Sequence, residues 1–266
     1  MVLTPTLESG LWTAIGRTAH DEPLSWLTLK WLDDAAIETF SAGEITASEI
    51  DSITFVPVAG GLFDETVFGP IPRKPSGVAD VWAMLTQRYL RNPTPEQLAD
   101  GFVSKRAPAG WYGRWGRIRL ATPVNHPWVV ASGEVQPQIG SIPVLPPGLR
   151  PCVPWKGMVA DSDLNCAYRR VLETTNPAQL QVAINHLFCN ESLPEPVFLK
   201  GEPQRSLTGL VSPSQRWAAL QDLDHWVTQN PSALSDPLPE PHFTVLAILR
   251  AVCLEVVFTR EQVCMC

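Results

Sequence analysis

The sequence contains no Cys-X-X-Cys pair, although it holds 6 cysteines among 266 residues. The paired-ligand spacing of a zinc ribbon is therefore not encoded. It also lacks Gly-X-Ser-X-Gly, His-Glu-X-X-His and the phosphate-loop pattern, which removes the local signatures of several large hydrolase and nucleotidase classes. The longest apolar run, "FTVLAILRAVCLEVVF" from Phe243 to Phe258, is interrupted by Arg250 and Glu255. It is too short and too charged to span a bilayer. No basic N-terminal segment leads into an apolar run, so no signal peptide is expected, and a cytoplasmic setting with reduced thiols follows. There is no internal repeat and no low-complexity segment. Nor is there an excess of positive charge: 20 basic against 27 acidic side chains give −7 and a pI near 5.2. That argues against free-standing, non-specific nucleic-acid binding, which needs a basic face.

What is present is globular. Hydrophobic residues make up 45% and charged residues 18%, a composition that buries a core rather than staying disordered. The length fits one large domain or two small ones. Charge is unevenly spread. Residues 1–70 carry 2 basic and 11 acidic side chains, a balance of −9. Residues 71–150 carry 10 and 4, or +6, and the remainder 8 and 12, or −4. Such asymmetry suits a polar partner surface, and a solvated face accounts for it nearly as well.

Periodicity predicts an amphipathic helix over Pro23 to Phe40 and another over Val78 to Leu90. "ITFVPVAGGLFDETVFGP" (Ile53 to Pro70) reads as strand-like segments around a Gly-Gly turn. In "GWYGRWGRIRLATPVNHPW" (Gly110 to Trp128), Ile118 and Leu120 alternate with Arg117 and Arg119, as in a half-buried strand. Proline-dense "IPVLPPGLRPCVPW" (Ile142 to Trp155) predicts an extended, rigid connection, neither helix nor inner strand. Helices are expected over Asp163 to Thr174, capped by Ser162 or Asp161, and over Gln179 to Cys189, with Asn176-Pro177 as the break of a helical hairpin. Another helix is expected near Pro213 to Thr228, and Phe243 to Phe258 reads as helix or buried strand. The 26 prolines favour an irregular, loop-rich α+β fold.

Few residues invite a chemical role. His126 is the natural catalytic suspect, yet no Ser or Cys nucleophile motif accompanies it, and a structural role is the simpler reading. Asp161 and Asp163 could ligate magnesium, but acidic residues just before a helix complement its dipole. Gly60-Gly61 could approach a phosphate, and a turn explains the pair equally well. Arg114, Arg117 and Arg119 with Trp111, Tyr112 and Trp115 suit phosphate contacts and base stacking. The same set suits a protein interface, and the residues alone leave both open.

Four stretches, taken in order, carry a resemblance. "SAGEITASEIDSITFVPVAGGLFDETVFGP" contains Gly61, Leu62, Phe63, Phe68, Gly69 and Pro70. "RWGRIRLATPVNHPW" contains Gly116, Ile118, Leu120, Pro123, Val124, His126 and Trp128. "PVLPPGLRPCV" contains Leu145, Pro146, Pro147, Leu149, Arg150 and Pro151. "DSDLNCAYRRVLETTN" contains Ser162, Asp163, Leu164, Asn165, Tyr168, Arg169, Arg170, Val171 and Asn176. Together they resemble the N-terminal part of the largest catalytic subunit, β′, of multisubunit DNA-directed RNA polymerases. The likeness is clear over about 40–190 and echoes to 211, so a β′-like module is expected over 1–211 and a helical extension of unassigned role over 212–266.

The resemblance implies a polymerase clamp-base module with a shortened helical hairpin. Arg114, Arg117, Arg119 and Arg150 would face nucleic acid within a complex, and Trp111, Tyr112, Trp115, Arg169 and Arg170 would meet a protein partner. The departures are equally specific. The family places zinc-binding cysteines between the first two boxes, whereas residues 71–109 contain none. The loop between Trp128 and Ile142 is short, and Asn176-Pro177 replaces the long tip on which initiation factors dock. The family's "DFDGD" loop, with its three magnesium-binding aspartates, is absent, and nucleotidyl transfer needs those carboxylates to hold two metal ions. No catalytic residue and no cofactor is therefore expected in this chain; magnesium would be bound by a partner chain. The expected function is that of a non-catalytic part of a divergent or split polymerase, associated with other polymerase subunits. The alternatives are a stand-alone clamp mimic that binds a toxin, a regulator or polymerase itself, and an unrelated enzyme using His126 or His186.

Overall fold

A computed structural model describes residues 2–3, 11, 14–18, 20–47, 58–68, 113–128, 137–150, 152–155, 158–199, 201–229 and 240–258. In chain order these form β1 (Val2–Leu3), β2 (Leu27–Trp31), α1 (Asp34–Phe40), α2 (Glu65–Phe68), β3 (Gly116–Asn125) and β4 (Gln138–Val144). Then follow β5 (Cys152–Trp155), β6 (Met158–Asp161), α3 (Asp163–Glu173), α4 (Pro177–Cys189), β7 (Phe198–Leu199) and β8 (Glu202–Pro203). The elements close with α5 (Pro213–Gln229), α6 (Glu240–Ala251) and β9 (Leu254–Phe258). The fold is mixed α+β with small sheets: β1-β2-β9, and the antiparallel pairs β3-β4, β5-β6 and β7-β8. The expected helix over Val78 to Leu90 lies outside the described residues.

The helix expected over Pro23 to Phe40 is half strand. Leu27 and Leu29 are buried while Thr28 and Lys30 point outward, a period of two that the spacing of Leu24, Leu27 and Trp31 concealed. β2 is the middle strand of its sheet, so ladder bonds on both sides override helical spacing. The helix begins only at Asp34, where the Asp33 carboxylate accepts from Ala36 N at 2.8 Å.

Val58–Phe68 is likewise a turn followed by one helical turn. The Asp64 carboxylate collects Gly60 N, Thr66 N and the Thr66 hydroxyl, which bends the chain locally and holds that carboxyl below its ordinary pKa.

The proline stretch is not a bare connection. Pro143 lies in β4 opposite Arg117, and Pro154 lies in β5 opposite Val159. β4 and β5 each belong to a two-stranded pair, so a missing N–H in either can face away from the ladder. Pro147–Leu149 forms a single 3-10 turn.

Both helices of the hairpin form, but only the second has the side-chain cap expected of it. Ser162 holds the cap position of α3 without a side-chain bond. The Asn176 side chain accepts from Ala178 N and Gln179 N at the start of α4.

Within the expected helical extension of 212–266, the described residues form α5, α6 and β9. The stretch Phe243 to Phe258 is helix and then strand, turned at Cys253 with φ +61°, and β9 pairs with β2 from Leu27↔Phe258 to Trp31↔Leu254. From α5, the buried Arg216 reaches back to the Ala14 carbonyl. One hydrophobic cluster runs from Leu11 through Ile118, Tyr168 and Leu187 to Leu254. A smaller cluster joins Leu27 to Leu223 and Val227.

Asp224 on α5 fastens the entry of β2. Its carboxylate accepts from Ser25 N at 3.0 Å, Trp26 N at 2.7 Å and Leu27 N at 3.1 Å. Bonds to an ionised acceptor are worth more than neutral ones. Asp224→Ala is expected to lower unfolding free energy by about 2 kcal/mol, whereas Asp222→Ala at an exposed site shifts it by less than about 0.5 kcal/mol. Urea titration of the two variants checks the difference.

Candidate functional site

Three segments meet at one side chain. Arg150 follows the 3-10 turn and is 1% exposed. Its Nε donates to the Leu145 carbonyl at 2.7 Å, Nη1 to Asn165 Oδ1 at 3.1 Å and Nη2 to the Leu62 carbonyl at 2.6 Å. The guanidinium lies 4.9 Å from the Phe63 ring centre and 5.7 Å from that of Tyr168. Asn165 returns a bond to the Arg150 carbonyl at 2.8 Å. Tyr168, fully buried, accepts from Leu145 N and donates to the Pro143 carbonyl; burial pushes its hydroxyl up to about 12. A guanidinium so enclosed has no face for a phosphate. The expected nucleic-acid role of Arg150 is corrected to that of an internal tie, because its planar fork matches converging carbonyls better than any other side chain.

β3 enters this arrangement through close contact. An added Cβ at Gly116 would stand 2.8 Å from Ile45 Cδ1 and 2.9 Å from Phe68 Cε1, so only glycine lets the strand approach. At Gly113 the chain turns with φ +84°, and an added Cβ would fall 2.6 Å from the Phe68 carbonyl. Arg114 N donates to that same carbonyl at 2.8 Å. Phe68 and Arg114 are thereby held together.

The basic strip is in place but already paired. Ile118 and Leu120 are buried, as expected, with Arg117 and Arg119 on the other face. Arg117 Nη2 lies 3.0 Å from Glu38 and 3.6 Å from Glu44, and Arg119 Nη2 lies 3.4 Å from Glu44. Arg114 is exposed. The acidic first third and the basic middle of the sequence are, at this point, two halves of one contact. Sequence reading missed Glu38 and Glu44; the opposed signs of residues 1–70 and 71–150 were the available signal.

Of the expected partner-binding residues, Trp111 and Tyr112 lie outside the described residues. Trp115 is half-buried, edge-on to Phe40 with ring centres 5.7 Å apart. It borders a cleft of about 380 Å³ that Pro146, Leu149, Leu246 and Phe258 also line. Arg169 pairs with Asp161 at 2.7 Å, and Arg170 donates to Gln204 at 3.3 Å. Both arginines therefore brace their own neighbourhood.

Asp161 serves Arg169 and Asn165, and Asp163 accepts from Arg205 N. Among the described residues, no three His, Cys, Asp or Glu side chains come together to hold a metal. No helix there is long and apolar enough to cross a membrane.

His126 is a core residue. It is 2% exposed; Nε2 meets the Val252 carbonyl at 2.8 Å, and Nδ1 accepts from Trp128 N at 3.1 Å. Its ring packs edge-on against Trp31 and Phe188. His186 bonds the Glu195 carbonyl at 3.2 Å. Burial pushes the Cys189 thiol up to about 11 and Cys253 further still, so neither supplies a thiolate nucleophile near neutral pH. Compared with protein-family models and with curated proteins, the chain matches none.

Two outcomes follow. Arg150→Met is expected to cost about 3 kcal/mol, because three acceptors lose their donor in the interior. Arg119→Ala costs less than about 0.5 kcal/mol; denaturant unfolding measures both. Burial also lowers the His126 pKa from 6.5 to about 4. The unfolded chain then binds more protons at acid pH, so stability is full above pH 6.5 and falls as pH drops towards 4. The loss totals about 3 kcal/mol. His126→Phe should flatten that slope, read from unfolding midpoints between pH 7 and 4.

Proposed function

We propose that this chain is a non-catalytic β′-like clamp-base module acting in transcription, which holds other macromolecules rather than making or breaking bonds. One observation carries the reading. The four stretches that resemble the polymerase subunit touch one another: Leu62, Phe63, Leu145, Asn165 and Tyr168 all meet Arg150, and Gly116 packs on Phe68. Segments retained for one shared architecture should pack as one unit, and their contact supports the reading. The magnesium-binding aspartate loop is missing from the sequence, so no metal-dependent step is assigned to this chain. A histidine-dependent enzyme is the weaker reading, since both nitrogens of His126 are engaged in the core.

A second setting, a stand-alone clamp mimic that binds a protein, is favoured by the pairing of Arg117 and Arg119 with Glu38 and Glu44. A strip neutralised from within offers little to a nucleic-acid backbone. Affinity purification of the tagged full chain from its native source separates the two. Co-purification with chains bearing the three-aspartate loop is expected for a polymerase part. For a mimic, one regulator or toxin is expected to co-purify and to stay bound after nuclease treatment and moderate salt. Recovery of the chain alone sinks both.

A further inference from the structure

β9 is an edge strand with one side in use. It pairs with β2 from Leu27↔Phe258 to Trp31↔Leu254, and among the described residues no strand lies beyond it. In the same register, Leu32 N donates to the Cys253 carbonyl at 3.0 Å. Antiparallel ladders alternate bonded and non-bonded pairs, so Glu255 and Val257 turn their backbone groups towards Lys30 and Thr28. Leu254, Val256 and Phe258 turn theirs outward. Exposed edges are ordinarily blunted by proline, a bulge or charge. The sequence of β9, Leu-Glu-Val-Val-Phe, offers only Glu255 for this purpose, and that carboxylate is tied to Arg250 of α6 at 2.8 Å.

The cleft of about 380 Å³ meets β9 along that outward side. Glu255 and Val256 point to opposite faces of the strand, yet both border the cleft, so it opens at the edge rather than over one face. Leu246 and Arg250 of α6 line one flank, and Trp115 and Leu149 line another. We infer that the outward edge of β9 takes up an extended peptide segment of a partner protein as an added strand, with uncharged apolar side chains in this cleft. In strand addition the backbone bonds supply affinity and the pocket selects side chains. Charge narrows the occupant. Among the described residues, Arg250 and Glu255 are the charged side chains that border the cleft, and they neutralise each other. A charged residue entering between the apolar walls would lose water without gaining a counter-ion. Shape narrows it further. A lone extended strand brings nothing else into the cleft, whereas the β9 edge of a second copy carries its own α6 and its own cleft walls with it.

The inference stands on β9 and its cleft, so it and the β′-like reading can fail separately. The test pans a displayed library of short random peptides against the immobilised full chain, then measures the enriched peptides by fluorescence anisotropy. Enriched sequences are expected to share an uncharged run rich in β-branched or aromatic residues. Val256→Pro removes one outward N–H and leaves the bonds to β2 in place; it should weaken binding about tenfold, the worth of one hydrogen bond. N-methylation of the peptide at alternate residues needs no altered protein. One phase of methylation should abolish binding to wild type, and the other should leave it. No enriched peptide, enriched peptides that are charged throughout, equal binding by Val256→Pro, or equal loss in both methylation phases overturns the inference. Sedimentation velocity on the free chain covers the remaining occupant: a dimer that Val256→Pro dissolves gives the edge to a second copy and overturns the peptide. Thermal melts check folding; should Val256→Pro melt early, the two methylation phases decide alone.

Discussion

A guanidinium removed from water must find acceptors for its N–H groups or destabilise the fold that buries it. At Arg150 the acceptors are supplied by three segments that share no local contact in sequence: the loop at Leu62, the chain entering the 3-10 turn at Leu145 and helix α3 at Asn165. The requirement works in both directions. The arginine is tolerated only if these segments converge, and their carbonyl groups are satisfied only if the arginine is there. Much of the architecture follows from this. β5 and β6 return the chain from Arg150 to Asp161, so that α3 can present Asn165 and Tyr168 to the same centre.

A second constraint is electrostatic and lies nearer the surface. The −9 and +6 halves of the first 150 residues meet where segment 41–45 runs beside β3. Backbone bonds set the register, and the side chains neutralise each other as a consequence. The same charges that suggested a partner surface are thus partly consumed inside the molecule, which is why the protein can be acidic overall and still carry an arginine-rich strand.

How far the sequence could be read depended on whether a residue's role was local. β3, α3, α4 and α5 declare themselves through alternation, helical spacing and the Asn176 cap, and they form where expected. β2 does not, because LTLKW carries apolar residues at spacings that serve a helix nearly as well. Its strand identity comes from β9, more than two hundred residues away. The prolines were legible in part: the chain there is extended and forms no inner strand, but its pairing in β4 and β5 was not written locally, since sheet size is not. Arg150 was marked as important but assigned outward, since a lone arginine in a proline-rich stretch gives no sign of the carbonyl groups waiting for it.

The C-terminal segment bears on what the proposed module does. Residues 213–229 and 244–258 bring no resemblance with them, yet they add to the core: β9 pairs with β2, and Arg216 ties α5 to Ala14. Obligate subunits bury broad apolar faces against their partners. Here the large hydrophobic side chains exposed among the described residues are Val182 and Phe198, and the apolar cleft beside Trp115 holds about 380 Å³. Residues 213–229 and 244–258 belong to the same core that holds the four stretches, so any account of the module has to include them.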